Sequence, residues 1–129
     1  MSVRARVEFD AARVLAGVAA ANAKALKRAG AYVRKVARNS IRVAPDASMR
    51  GQPPHSRRGA LRRAILFGYD NVRTAVIVGP AHSLIGASGS AHEFGGRYGN
   101  ENYPARPFME PSLRKSAPHL PALWRDAVK

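Results

Sequence analysis

Between His92 and Phe108 the chain gathers an imidazole, a carboxylate and a guanidinium: His92-Glu93-Phe94-Gly95-Gly96, then, after eight residues, Ala105-Arg106-Pro107-Phe108-Met109-Glu110-Pro111. These are the groups of acid–base and metal chemistry. A zinc protease helix needs a second His four residues after the first, with a Glu between them, so that one face offers two nitrogens to the metal. Here His92-Glu93 is followed by Phe94-Gly95-Gly96, and His55, His82 and His119 lie on separate segments. A serine-hydrolase elbow needs Gly-x-Ser-x-Gly, and Gly86-Ala87-Ser88-Gly89-Ser90 departs at its last position. No Gly-x-x-x-x-Gly-Lys-Ser/Thr phosphate loop occurs. The carboxylates, from Glu8 to Asp126, are too widely spaced to mark a magnesium cluster. Neither enzymatic activity, nor a cofactor, nor a resident metal is expected, and replacing His92 and Glu93 is the test of a catalytic alternative.

The elements that position this cluster follow from periodicity. From Asp10 to Arg42 there is no proline, and apolar residues recur at Leu15, Val18, Leu26, Ala29, Val33, Val36 and Ala37. This pattern predicts one long helix, on the order of 45 Å, with Asp10 as its N-cap. Its polar side carries Arg13, Lys24, Lys27, Arg28, Arg34, Lys35, Arg38 and Arg42. A basic amphipathic helix can lie on a membrane or on nucleic acid. Small alanines and a narrow apolar stripe point instead to packing across a sheet, with the cations left in water.

Residues 43–59 hold three prolines and two glycines among polar residues, which predicts a long loop. Loops of this length in a small domain are usually functional or mobile, and Arg50, Arg57 and Arg58 make this one a flexible basic arm. Gly59 to Ile65 predicts one or two helical turns that bring Leu61 and Ile65 together. Ile65–Tyr69 and Thr74–Val78 then read as an antiparallel hairpin around Asp70-Asn71. A strand connection over Ala81–Ser90, a third strand around Ser90–Phe94, a polar loop over Gly95–Tyr103 and a helix opening at Pro107 or Pro111 complete the expectation. Pro118 and Pro121 interrupt that last helix. The fold class is α+β in one domain, residues 1–129: a long N-terminal helix packed on a small antiparallel β-sheet, with a C-terminal helix.

Composition bounds the partners. The 129 residues carry 22 Lys and Arg against 8 Asp and Glu, a net charge of +14. That imbalance attracts polyanions, and nucleic acid, an acidic protein partner and plain solvation of scattered charge all remain open. Absence of cysteine removes disulfides and thiolate sites. No apolar run is long enough to span a bilayer, and Met1 to Asp10 shows no apolar signal segment, so a soluble protein with no membrane association is expected. A compact helix-turn-helix spacing for reading DNA sequence is missing too.

The order of these signals resembles the tail-completion, or head–tail joining, proteins of long-tailed bacteriophages and prophages. The resemblance rests on the Ala-rich first helix, on Pro53-Pro54-His55-Ser56-Arg57-Arg58-Gly59-Ala60-Leu61-Arg62-Arg63-Ala64-Ile65, on Val76-Ile77-Val78-Gly79-Pro80, and on His92-Glu93-Phe94-Gly95 with Pro104-Ala105-Arg106-Pro107-Phe108-Met109. Together they span about residues 10–115. The family commonly has Thr where Arg58 stands and a less interrupted final helix.

The resemblance implies a structural virion protein made in the host cytoplasm. It would form a ring, typically hexameric, between the tail tube and the head connector, and a tail terminator capping the tube is the near alternative. Partners would be further copies of the chain, the head connector or stopper protein and the tail-tube protein, with non-specific contact to DNA passing through the channel. A basic non-specific nucleic-acid-binding protein is the alternative from another class. In this picture Phe94 and Phe108 anchor the core, Gly95 and Gly96 make a turn at positive φ, and Pro107 starts a helix. Glu93 and Arg106 are candidates for a charge pair, and Arg50, Arg57, Arg58 and Arg62 for contacts with a neighbouring subunit.

Overall fold

The computed structural model describes residues 11–98 and 100–127. Asp10, the expected N-cap, lies outside the described residues. The long helix is present as α1, Ala11–Ser40. It buries Ala25, Ala29, Val33 and Ala37, a seam of small side chains repeating every four residues. Small residues let the sheet approach closely. A Cβ added at Gly30 would stand 2.5 Å from Val76 Cγ2 and 2.9 Å from Phe67 Cδ2, so glycine there is a packing requirement.

After α1 come β1 (Arg42–Val43), β2 (His55–Ser56) and the short helix α2 (Ala60–Ala64). The hairpin follows as β3 (Ile65–Asp70) and β4 (Ala75–Pro80), antiparallel with Phe67 opposite Val78 and Gly68 opposite Ile77. Asp70 Oδ1 accepts the backbone N–H groups of Val72 and Arg73, which closes the turn. The hairpin's inner face packs against α1. Ala37 and Ile41 join Leu61, Ile65 and the fully buried Phe108 in the core, with Val78, Ile85 and Met109 packed against them.

The segment after β4 departs from expectation. In place of a connection and a third strand there are two helices, α3 (His82–Ile85) and α4 (Ser88–Phe94). Gly89 lets α4 sit on Pro80, where a Cβ would come within 2.5 Å of the proline ring. Gly95, at φ 67°, ends α4. A positive-φ glycine terminates helices as readily as it makes turns, which is why it looked like the end of a strand. The expected polar loop is a second hairpin, β5 (Gly96–Tyr98) with β6 (Glu101–Tyr103). Each antiparallel pair among the described residues is two-stranded, so the α+β class stands with small antiparallel sheets rather than one sheet of three strands.

The C-terminal region is α5 (Met109–Ser116), a 3-10 turn (Ala117–His119) and α6 (Pro121–Ala127), broken where Pro118 and Pro121 fall. The helix thus opens at Met109 with Phe108 as its N-cap, two residues past Pro107. Ser112 and Ser116 are buried on α5, each donating its hydroxyl to the carbonyl one turn earlier. These donations satisfy polar groups at the close α1–α5 contact. Trp124 Nε1 donates to Asn22 Oδ1 at 2.9 Å and ties α6 to α1.

Candidate functional site

The His92–Phe108 cluster becomes a structural join once its hydrogen bonds are followed. Glu93, on the last turn of α4, aims its carboxylate at the start of α5. Its oxygens accept the N–H groups of Phe108 (2.7 Å), Met109 (2.9 Å) and Glu110 (2.9 Å). The first N–H groups of a helix have no partner within it and carry its positive dipole end, so a carboxylate fifteen or more residues upstream supplies the cap that Phe108 cannot. Saturated in this way, the carboxylate is poorly placed to act as a base.

The expected Glu93–Arg106 pair does not form. Arg106 Nε donates to the Ser48 carbonyl at 3.0 Å, and its backbone N–H donates to the His92 carbonyl. Glu93 is turned toward three backbone donors at the start of α5, while the Arg106 side chain is turned toward the Ser48 carbonyl. His92 is held below its ordinary pKa of 6.5, first by burial and second by the Arg106 guanidinium. Both causes favour the neutral form of the ring. Phe94 is a correction: expected in the core, it is 78% exposed. Strand alternation would place it with His92 on one face, whereas a helix turns the two about 200° apart. Phe108 is completely buried, and Gly95 and Gly96 have φ of 67° and 117°.

The basic arm is pinned. β1 pairs in parallel with β2, the Gly51 N–H donates to the Ala105 carbonyl at 3.0 Å, and Pro54 is fully buried. His55 Nδ1 donates to the Asp46 carbonyl at 2.9 Å. Residues 43–59 thus form a closed loop against the body, with Arg50, Arg57 and Arg58 exposed on it. Arg62 belongs elsewhere: half-buried, it donates from Nε to the Arg38 carbonyl near the C-terminal end of α1. The four arginines do not act as one set. Among the described residues, no group of three His, Cys, Asp or Glu could hold a metal ion, and no helix is long and apolar enough to cross a membrane.

Two surfaces escaped the sequence argument. The outer face of the β3–β4 hairpin exposes Leu66 at 43% and Ile77 at 61%, beside Gly68 and Gly79 in a shallow cleft. Apolar residues on both faces of β3 were the available signal. The second surface is the outer face of α1, where Lys24, Lys27, Arg28 and Lys35 are all exposed. None of the ion pairs among the described residues involves them; those pairs join His55 to Asp46, Arg73 to Asp70 and Arg114 to Glu110. Comparison with protein-family models, curated proteins and solved structures gives no match for this chain.

Proposed function

We propose that this chain is a structural virion protein of the phage head–tail interface, a ring-forming tail-completion subunit that joins the tail tube to the head connector. The observation that carries this reading is the unfinished β3–β4 hairpin. It has two strands only, with no third strand paired to either edge among the described residues and an apolar outer face. Two-stranded sheets are marginal alone, and open edges with an apolar face suit pairing with another subunit. A closed ring needs a heterologous interface, two different faces on each protomer. The outer hairpin face and the exposed arginines of the 43–59 loop are two such faces. The resemblance described above supports the same role. The carboxylate of the His92–Phe108 cluster caps a helix, which favours an assembly role over catalysis.

Electron microscopy of particles made without this protein tests the reading. Separate full heads and tails are expected, joined again when the wild-type chain is supplied. Normal virions in its absence refute it.

A further inference from the structure

We propose that the outer face of α1 binds the phosphate backbone of double-stranded DNA. This inference gives the nucleic-acid contact raised by the sequence a definite surface; it rests on the α1 face alone and can hold or fail independently of the neck reading. Lys24, Arg28 and Lys35 project from the side opposite the buried seam, with exposed Ala31 between them, and exposed Lys27 flanks them with its ammonium over the Tyr69 ring. Over these residues the helix rises about 17 Å, a length along which one DNA strand presents about five phosphates. Arg62, tied to Arg38 near the far end of the helix, extends the cationic strip.

Among the described residues no carboxylate forms an ion pair with this strip. Asp46 lies by His55, Asp70 closes the hairpin turn, Glu93 caps α5, Glu101 accepts from Tyr103 and Glu110 pairs with Arg114. The chemistry selects among polyanions. A membrane-surface helix must offer its apolar face to lipid, and the apolar seam of α1 is already buried. Single strands want free aromatic platforms. The rings bordering the face are engaged, Tyr69 by Lys27 at 5.3 Å and Tyr32 by His119 at 5.8 Å. An acidic protein partner would seek large apolar or aromatic anchors among the charges, and among the described residues of this face only the small side chains of Ala20 and Ala31 stand there. A rigid row of cations without anchors matches a rigid row of phosphates.

Fluorescence anisotropy of the full chain with a 20-base-pair duplex, from 50 to 200 mM NaCl, tests this. Four phosphate contacts give a log–log salt slope near −3.6, an affinity loss of about 150-fold over that range. The variant Lys24→Gln, Arg28→Gln, Lys35→Gln is expected to flatten the slope by about 2.7. A matched variant with the same loss of charge elsewhere, Arg73→Gln, Arg97→Gln, Lys115→Gln, should keep the wild-type slope. Equal losses in the two variants would reduce the effect to diffuse net charge and overturn the proposal. So would a wild-type slope shallower than −1, or binding to polyglutamate, lost in the α1 variant, with none to the duplex. Because the slope is read on the wild-type chain as well, a variant that failed to fold would still leave the proposal open to refutation.

Discussion

Replacing Glu93 removes a helix cap that comes from a different element, and the size of the effect can be worked from its contacts. In Glu93→Ala the N–H groups of Phe108, Met109 and Glu110 lose their acceptor together. A charge-assisted hydrogen bond contributes about 1.5–3 kcal/mol and an N-cap about 1 kcal/mol. Glu110 is exposed and Glu93 itself half-buried, so water replaces part of the loss. The net cost is then about 2–3 kcal/mol. A domain of this size has an unfolding entropy near 0.27 kcal/mol/K, which converts the cost to a Tm lower by about 7–11 °C. Glu93→Gln keeps one acceptor oxygen and should lose about 1 kcal/mol, near 4 °C. Differential scanning calorimetry of the three proteins decides. A wild-type Tm for Glu93→Ala, or equal losses for Ala and Gln, would show that the cap does not hold the α4–α5 join.

Three further outcomes follow from the packing and the site. Gly30→Ala adds a Cβ against Val76 and Phe67, so the usual helix gain of up to about 1 kcal/mol should turn into a loss of about 1–3 kcal/mol, read by urea denaturation. His92 has a depressed folded-state pKa, so the unfolded chain takes up its proton first. The stability it contributes is complete above about pH 6.5 and falls as the pH drops from there toward the folded value; His92→Gln should flatten that part of a Tm-against-pH curve. Leu66→Asp with Ile77→Asp puts charge on an exposed face, so under the proposed role the protomer should stay folded while ring formation with tail-tube protein, followed by analytical ultracentrifugation, is lost.

Elements with a strong local signal were legible in the sequence. The four-residue seam of α1 and the aromatic and β-branched runs on either side of Asp70-Asn71 gave helix and hairpin without tertiary help. What failed was decided by contacts distant along the chain. Ser88–Phe94 is helical although rich in Gly and Ser, because Gly89 lets it close on Pro80 and Gly95 stops it. With the strand assignment went the place of Phe94, since changing the period from two to 3.6 moves every other side chain. The Glu93 cap was hidden because its acceptor and donors belong to helices joined through a hairpin. The pinned loop 43–59 was hidden for the same reason: its restraints come from Ala105 and Arg106, more than fifty residues on.

The two surfaces also explain each other's chemistry. α1 covers the inner face of the β3–β4 hairpin, so its own outer face and the outer face of the hairpin look in opposite directions from one two-layer body. One is cationic and, among the described residues, offers only small alanines as apolar groups; the other is apolar, with Leu66 and Ile77 exposed. Protein and nucleic acid need not compete for such a protomer. A charge of +14 opposes bringing copies together, and phosphates laid along α1 would remove part of that repulsion while leaving the hairpin free. If both proposals hold, electrostatics alone would let phosphates on the helix favour assembly through the hairpin, with no conformational change required of either element.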